Sequence, residues 1–281
     1  MMQSRQDAAT TPDAGGTTDV LQPPAASEIT HIFGLRCWDI DLARAARFLV
    51  ESARAGQRRC VFFVNAHCVN VAAREPSYAR LLAASPFVFA DGAGMAIASR
   101  FAGHRLANNV NGTDLFPELC EAAANARLPI AMLGAAPGVA AKCAEAMCRK
   151  YPGLRVTWVQ HGYLEPEEEA SQIEELNRSG ARLLLVAKGV PGQELWIARN
   201  ASRVAAPVLL GVGALFDFYS GTIRRAPALL RALHVEWLYR LALEPRRMFS
   251  RYVLGNPVFM ARALLWRSDP EALLGRGRFS P

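Results

Sequence analysis

Asp91 is the residue of this 281-residue chain whose neighbours most favour a chemical role. It follows the apolar run Phe87-Val88-Phe89-Ala90 and precedes Gly92-Ala93-Gly94, with no lysine or arginine within several residues on either side. A carboxylate at the end of a buried strand can act as a general base that accepts a proton from an attacking hydroxyl. It can equally cap the helix that is predicted to begin near Met95. The sequence alone leaves these two interpretations open.

Polar or glycine-rich turns follow other apolar runs as well. Because the carboxyl ends of parallel strands meet at one edge of a sheet, and glycine lets backbone approach a ligand there, we expect one pocket to collect these turns. The helix after Asn111 is predicted to have Thr113 or Asp114 as its N-cap. The turns, besides the one at Asp91, are Asn65-Ala66-His67, Asn111-Gly112-Thr113-Asp114, Gly134-Ala135-Ala136-Pro137-Gly138, Gly189-Val190-Pro191-Gly192-Gln193-Glu194 and Gly211-Val212-Gly213.

The elements that position these turns are short apolar runs that alternate with helical patterns between residues 29 and 223. Four- to six-residue apolar runs between helices indicate a mainly parallel sheet that is covered on both faces. We therefore predict an α/β fold with a Rossmann-like sheet over residues 29–223. The predicted strands are Arg59–Val64, Phe87–Ala90, Ile130–Gly134, Leu154–Val159, Leu183–Ala187 and Val208–Val212, and the predicted helices include Leu42–Val50, Val69–Ala84 and Val139–Lys150.

Metal and cofactor motifs are weak in this chain. Asp39-Ile40-Asp41 resembles the DxD pattern that holds a metal ion on a nucleotide-sugar, but it precedes a helical run, so we expect both aspartates to cap that helix. No other acidic pair and no histidine pair has metal-ligand spacing. The chain has no GxxxxGK[ST], and Gly211-Val212-Gly213 lacks the third glycine of a dinucleotide fingerprint. The six cysteines form no CxxC and are expected to be buried, reduced thiols. We expect no metal and no cofactor.

The last quarter of the chain carries its whole net charge of +7. Residues 224–281 contain eleven arginines against four acidic residues, interleaved with leucine and aromatic side chains. Leu230, Leu233, Trp237, Leu238 and Leu241 lie on one face of a predicted helix, which Pro245 should break. Such a basic amphipathic end indicates an anionic partner: a membrane surface, a diphosphate or nucleic acid. Confinement to an aromatic, leucine-rich tail fits a membrane better than nucleic acid.

The two ends of the chain are predicted to differ from its body. Residues 1–28 lack an apolar signal region and are predicted to be a disordered leader, before a body over 29–223 and a basic appendage over 224–281. The most apolar stretch of the appendage, residues 253–266, is shorter than the roughly 20 residues that cross a bilayer. It also contains Asn256, Pro257 and Arg262. We expect a protein that lies on a membrane without crossing it.

The chain resembles the WecG/TagA/CpsF family of bacterial glycosyltransferases, which build cell-surface polysaccharides on lipid-diphosphate carriers. The resemblance runs in family order over about residues 30–255. The segments that carry it are Asn65, Ala90-Asp91-Gly92-Ala93-Gly94, Asn111-Gly112-Thr113-Asp114-Leu115, Leu133-Gly134-Ala135-Ala136-Pro137-Gly138, His161-Gly162-Tyr163, Pro191-Gly192-Gln193-Glu194, Gly211-Val212-Gly213-Ala214-Leu215-Phe216-Asp217, Gly221, Arg225-Ala226-Pro227, Glu236-Trp237-Leu238-Tyr239-Arg240 and Glu244-Pro245-Arg246-Arg247.

The resemblance implies an inverting, metal-independent transfer from a UDP-sugar to an undecaprenyl-diphosphate-linked sugar. It implies that Asp91 is the base, and that the tail docks on the anionic inner face of the cell membrane, where Arg240 and Arg247 complete the site. The expected enzyme is cytoplasmic and peripheral, binds no nucleic acid, and has an oligomeric state that stays open, a homo-oligomer included. The residues expected to bind donor or acceptor are Asn65, Gly92, Gly94, Asn111, Gly112, Asp114, Gly134, Gly162, Tyr163, Gln193, Glu194, Gly213, Arg240 and Arg247.

Three residues depart from the family pattern. Phe63 stands where many relatives have threonine, His67 where an acidic residue is frequent, and Lys188 where an apolar residue is usual. These departures are expected to bear on which sugar is accepted. Two rival interpretations remain: a non-catalytic α/β protein that binds membrane or nucleic acid through its basic end, and an NAD-dependent enzyme, which the incomplete glycine fingerprint disfavours.

Overall fold

A computed structural model of the chain describes residue 22 and residues 24–163, 165–227, 229–230 and 236–268. Most of the predicted leader therefore lies outside the described residues, as do 231–235 and 269–281. The strands are β1 (Ile29–Ile32), β2 (Leu35–Trp38), β3 (Arg59–Val64), β4 (Val88–Ala90), β5 (Ile130–Gly134), β6 (Val156–Gln160), β7 (Leu183–Ala187) and β8 (Val208–Gly211).

The bounds of twelve α-helices lie within the described part of the chain, besides a 3₁₀ turn at Ala26–Glu28 and a π-helical segment at Phe249–Leu254. They are α1 (Leu42–Arg54), α2 (Ala66–Ala72), α3 (Pro76–Ala84), α4 (Ala93–Phe101), α5 (Gly112–Asn125), α6 (Val139–Lys150), α7 (Pro166–Arg178), α8 (Gly192–Asn200), α9 (Leu215–Tyr219), α10 (Glu236–Leu243), α11 (Pro245–Met248) and α12 (Gly255–Ser268).

The eight strands form one sheet in the order β1-β2-β4-β3-β8-β7-β5-β6. Every neighbouring pair is parallel except β1 and β2, which form an antiparallel hairpin at one edge. The predicted α/β class and the mainly parallel sheet are thereby confirmed, whereas the finer description, a Rossmann-like sheet, stays a prediction. β3 lies at the centre, so its carboxyl end and that of β4 deliver Asn65 and Asp91 to neighbouring positions.

Helices cover both faces of this sheet. Along β3, Val61 and Phe63 belong to one buried cluster, which packs against α1 and α5, while Phe62 and Val64 belong to a second cluster on the other face. The alternation follows from the period-2 geometry of a strand. Since both faces are apolar, the buried strands carry the continuous hydrophobic runs that the sequence shows.

Three features differ from the sequence prediction. The predicted helix over 69–84 is two helices, because Pro76 starts a new helix at its first position, where proline is favoured. The β1–β2 hairpin was not predicted, since its polar residues mask the strand pattern. The predicted break at Pro245 is confirmed: α10 ends at Leu243 and Pro245 begins α11.

The C-terminal helix α12 packs into the body. Phe259, Ala263 and Trp266 are buried in the second cluster, and the rings of Phe259 and Trp266 lie 5.5 and 5.0 Å from that of Phe33. Burial of such large side chains contributes roughly 1.5–3 kcal/mol each. Leu264 and Leu265, on the other side of α12, are exposed, and so is Leu254 at the end of the π-helical segment. The basic end is therefore both a structural part of the core and an apolar surface.

Candidate active site

A cavity of about 480 Å³ opens at the carboxyl ends of β3 and β4. One wall consists of the turns at Asn65 and Asp91 and the segment 109–114. The C-terminal helices and the π-helical segment supply the other wall, through Trp237, Arg240 and Arg251. The cavity therefore lies between the sheet edge and the basic end of the chain.

Asp91 and Asn65 are joined at this sheet edge. Asn65 is the N-cap of α2, and its Oδ1 accepts hydrogen bonds from the backbone nitrogens of His67 and Cys68 at 3.0 and 3.2 Å. These bonds orient the amide, so that its Nδ2 donates to Asp91 Oδ2 at 3.2 Å. The N-cap of the helix after Asp91 is Gly92, without a side-chain bond. The capping interpretation of Asp91 is thus wrong, and its carboxylate faces the cavity.

Burial raises the pKa of Asp91 above its ordinary value. The hydrogen bond from Asn65 and the positive charge of Arg251 act in the opposite direction, while Glu236 and Asp114 raise the pKa further. A desolvated carboxylate binds a proton more readily than one in water. Asp91 is therefore suited to accept a proton from a bound hydroxyl.

The segment before α5 is tied by side-chain hydrogen bonds to the ends of β2 and β4. Asp39 accepts hydrogen bonds from the backbone nitrogens of Ala107 and Asn108 at 2.9 and 2.6 Å, and Asn109 Oδ1 accepts one from Gly92 N at 2.8 Å. The prediction that Asp39 caps α1 is wrong, because Asp41 alone does so, accepting from Arg44 N at 2.7 Å. Asp39 instead connects the end of β2 to residues 107 and 108, next to Asn109, which in turn bonds to the turn after Asp91.

Asn111 and Asp114 join the site through α5. Asn111 is the N-cap, accepting from Asp114 N at 2.8 Å, so the predicted caps Thr113 and Asp114 are both wrong. Asp114 accepts a hydrogen bond from Asn111 Nδ2 at 2.7 Å and forms an ion pair with Arg225, which lies 3.9 Å from Glu236. These contacts link the body to the start of the C-terminal helices.

Arg240 lies in the opposite wall of the cavity. It is buried, its guanidinium stacks over the ring of Phe218 at 5.1 Å, and Glu244 lies 3.9 Å away. Arg247 is part of α11, but its side chain lies outside the described residues. Arg251 comes from the π-helical segment, a form of helix that is frequent at functional sites.

Near the site, glycine is required by the backbone at Gly92 and by close packing at Gly94, whereas Gly112 has room for a side-chain carbon. Gly92 has φ of +86°, a conformation that side-chain-bearing residues rarely adopt. A Cβ at Gly94 would lie 3.2 Å from the Phe259 ring, so this glycine lets α12 approach α4. A Cβ at Gly112 would face the ring of Phe63 at 3.5 Å. Gly92 and Gly94 line the cavity, whereas Gly112 is buried.

The other predicted ligand-binding residues at the carboxyl ends of the strands are not among the residues that line this cavity. A Cβ at Gly134 would lie 2.3 Å from the carbonyl oxygen of Ala187, and Gly162 packs against Gly134. Tyr163 is 74% exposed. The ends of β3 and β4 and the start of α5 line this cavity, while the ends of β8, β7, β5 and β6 continue the same row of strands. One pocket for all the turns stays a prediction.

Gln193 and Glu194 lie inside this row and are buried. Gln193 Oε1 accepts from Gly213 N at 2.8 Å, and its Nε2 donates to Glu194 Oε1 at 2.9 Å. Burial raises the pKa of Glu194 to about 7. The two side chains hold the turn after β8 in place.

The three departures from the family pattern occupy different places. Phe63 is buried and stacks on Phe89 at 5.7 Å, so it cannot offer a hydroxyl to a ligand. His67 lines the cavity beside Asn65. Lys188 is half-buried and donates to the carbonyl oxygen of Gly162, at the edge that carries Gly134.

Several cavity residues were absent from the predicted site. Arg225 and Glu236 lay in segments of the resemblance without an assigned role, and Asn109 and Arg251 lay outside those segments. An amphipathic pattern predicts which face of a helix is apolar, but it does not predict which arginine a π-helical turn directs inward. The cavity has a carboxylate that can take a proton on one wall and arginines that can bind phosphate on the other. This arrangement suits the transfer of a group from a phosphate-containing donor.

Comparison with known proteins identifies the class. The model of the glycosyl transferase WecG/TagA/CpsF family matches residues 30–272, and the chain belongs to this family of glycosyltransferases. The chain is 31% identical over 193 residues to an N-acetylglucosaminyldiphosphoundecaprenol N-acetyl-beta-D-mannosaminyltransferase from Bacillus spizizenii. That alignment covers 69% of this chain and 74% of the relative. The rival interpretations as a binding module and as an NAD-dependent enzyme are thereby set aside.

Proposed function

We propose that this enzyme transfers a hexose or an N-acetylhexosamine from a UDP-sugar to an undecaprenyl-diphosphate-linked sugar. The observation that carries the proposal is the Asp91–Asn65 pair on the floor of a cavity whose opposite wall holds Arg240 and Arg251. The Bacillus relative, by its name, makes a lipid-diphosphate-linked sugar product. The reaction belongs to the synthesis of a bacterial surface polysaccharide.

In this reaction Asp91 accepts the proton of the acceptor hydroxyl as the oxygen attacks the anomeric carbon of the donor. The bond from that carbon to UDP breaks on the opposite side, so the anomeric configuration inverts. Asn65 holds the Asp91 carboxylate in place during the proton transfer. Negative charge grows on the departing UDP, and cationic side chains stabilise it.

Arginine supplies this positive charge in place of a metal ion. Guanidinium groups match the geometry of a diphosphate, and Arg240 and Arg247 are the proposed ligands. The two aspartates of Asp39-Ile40-Asp41 each accept backbone hydrogen bonds, which supports a structural role for that pair. Within the described ranges no group of three histidine, cysteine or acidic side chains has the geometry of a metal site.

Docking of the C-terminal helices on the inner face of the cell membrane brings the enzyme to its acceptor. Leu254, Leu264 and Leu265 are at least half exposed, and Arg246 lies on the same part of the chain. In the described ranges no helix is long and apolar enough to cross a bilayer. Exposed apolar side chains with nearby arginines are the pattern of an interfacial segment.

The test is UDP release from a panel of UDP-sugars, with a synthetic polyprenyl-diphosphate-linked sugar as acceptor, with and without EDTA. We expect release to require the acceptor, to favour one hexose or N-acetylhexosamine donor, and to persist in excess EDTA. NMR of the product's anomeric carbon reads the stereochemistry. No release with any donor would overturn the transfer. Loss of turnover in EDTA with recovery in Mg²⁺ or Mn²⁺ would overturn metal independence.

A further inference from the structure

Lys188 connects two strands that are not neighbours in the sheet. It directly follows β7, and its Nζ donates a hydrogen bond to the carbonyl oxygen of Gly162, in the turn after β6. β5 lies between β7 and β6. Adjacent strands are about 4.8 Å apart, so β7 and β6 are separated by roughly 10 Å. Only a long side chain with a donor at its end, meeting a turn that leans toward β5, closes this distance.

The turn after β6 does lean against the end of β5. A Cβ at Gly162 would lie 3.2 Å from Gly134 Cα, so the missing side chain allows this contact. Gly162 N donates to the carbonyl oxygen of Ala135 at 2.9 Å, and Ala135 N donates to that of Ala187 at 2.9 Å. Backbone hydrogen bonds thus join the turn to β5 and β5 to β7. The Lys188 side chain joins β7 back to the turn.

This side-chain bond fixes the peptide group between Gly162 and Tyr163. The carbonyl of a trans peptide points opposite to its N–H, so a held Gly162 oxygen also sets the direction of Tyr163 N. Tyr163 N donates to His161 Nδ1 at 3.3 Å, within the same turn. The Tyr163 side chain is 74% exposed, so packing contributes little to its position. The place of this ring therefore depends on the backbone of the turn.

The Gly162 carbonyl competes for Lys188 with one nearby carboxylate. Burial lowers the pKa of the half-buried Lys188, and the charge of Glu169 raises it. Glu169 is already engaged: its Oε2 accepts from Trp196 Nε1 at 2.6 Å, and its Oε1 lies 3.9 Å from Arg203. A hydrogen bond from a charged donor is roughly twice as strong as a neutral one. The lysine can thus hold the turn in one conformation.

We propose that Lys188 is a positioning residue for the donor, which holds the Gly162–Tyr163 turn so that Tyr163 is presented to the nucleotide of the UDP-sugar. This inference rests on the proposed function, from which it takes the donor. An exposed aromatic ring at the carboxyl ends of parallel strands suits stacking on a nucleobase. Without the lysine the turn keeps its bond to Ala135 but its last peptide group becomes freer, so donor binding must first order it.

Hydrogen exchange of the unliganded protein tests the positioning without any substrate. Lys188→Met keeps a long, unbranched side chain but has no donor, so we expect the amides of residues 161–163 to exchange faster. Asn177→Ala is the matched control, because Asn177 Nδ2 donates to the carbonyl oxygen of Arg203 at 2.9 Å, away from the turn. Thermal unfolding confirms that both variants are folded. Unchanged exchange at 161–163 in Lys188→Met would contradict the proposal.

Calorimetric titration with UDP measures the consequence for the donor. We expect Lys188→Met to bind UDP about fivefold to tenfold more weakly, since one peptide group must be ordered on binding. Asn177→Ala should bind UDP like the original chain. Equal UDP affinity of Lys188→Met and the original chain would overturn the positioning role and leave the proposed function standing. No binding of UDP by the original chain would overturn the proposed donor, and the role of Lys188 with it.

A double-mutant cycle shows whether Lys188 acts through Tyr163. In a Tyr163→Ala background the ring is gone, so Lys188→Met should weaken UDP binding little further. Effects of the two substitutions that add fully would mean that the lysine does not act through this ring, which would contradict the proposal.

Discussion

Four neighbours act on the proton affinity of Asp91 in opposite directions. Asn65 and Arg251 favour the ionised carboxylate, Glu236 and Asp114 disfavour it, and burial outweighs the favourable pair. The proposed base must be ionised, so activity should fall as pH decreases through the raised pKa. The acid limb of the pH–rate profile should therefore lie above the ordinary aspartate value of 3.8.

Removal of the Asn65 amide should move this limb. Asn65 lowers the pKa of Asp91, so Asn65→Ala raises it and shifts the acid limb of kcat/KM to higher pH. The profile of kcat/KM reports the groups of the free enzyme. Asn111→Ala is the matched control, because Asn111 also caps a helix but makes no hydrogen bond to Asp91. An equal shift in both variants would contradict the role of Asn65.

For single residues, the sequence predicted which side chains lie at the site better than it predicted which residues they contact. The position of Asp91 after a strand and the pattern around Asn65 placed both residues correctly at one sheet edge. The pairing of Arg225 with Asp114 joins residues 111 positions apart, which no local pattern contains. The outward position of Tyr163 and the burial of Gln193 depend on the same long-range packing, and their proposed role in donor binding stays a prediction.

Among the elements, the segment between α4 and α5 connects the sheet to the catalytic turn. Asp39 accepts hydrogen bonds from the backbone of residues 107 and 108 in this segment, and Asn109 accepts one from Gly92 N. Asp39→Ala should lower the free energy of unfolding by about 1–2 kcal/mol through the lost hydrogen bonds. It should also lower turnover, because the turn after Asp91 loses its support.

Asp41 is the natural comparison for Asp39. It caps α1 and, within the described residues, accepts no hydrogen bond from the segment, so Asp41→Ala should cost about 1 kcal/mol of stability and leave turnover unchanged. Chemical denaturation and UDP release measure the two effects. Full turnover in Asp39→Ala would show that the tether does not position the site.

The α/β elements were predicted well where their patterns are local. Apolar runs predicted β3, β5 and β7 at their observed bounds, and a helical pattern predicted α6 at its observed bounds. The β1–β2 hairpin was not predicted, because strands of four residues that include polar side chains show only a weak alternation of polar and apolar residues. The sequence left capping of α4 by Asp91 open, and its prediction of Thr113 or Asp114 as the N-cap of α5 is wrong, because the residue type alone does not decide which side chain meets the free backbone nitrogens.

On the scale of the whole molecule, the basic end covers one face of the core and exposes another apolar surface. Membrane attraction of about 1 kcal/mol per basic residue predicts that Arg246→Gln weakens binding to anionic vesicles about fivefold. Arg149→Gln removes a charge that is also exposed, but on the body, and should have no effect. Cosedimentation at low and high salt measures both, since salt screens the attraction.

Leucine substitutions test the apolar part of the same surface. Leu265→Gln changes a side chain that is 66% exposed, so the free energy of unfolding should stay nearly constant while vesicle binding falls. Undiminished binding of both Arg246→Gln and Leu265→Gln would show that the C-terminal helices serve only to complete the core.

The rate of UDP release by Asp91→Asn, with UDP-sugar and lipid-linked acceptor, tests the central claim most directly. The amide keeps the shape of the side chain and can accept the Asn65 hydrogen bond, but it cannot take a proton from the acceptor. We expect turnover to fall about 10²- to 10⁴-fold. Stability at pH 7 should be unchanged or higher, because burial no longer opposes a charge. A folded variant that keeps more than about a tenth of the original turnover would contradict the assignment of Asp91 as the base.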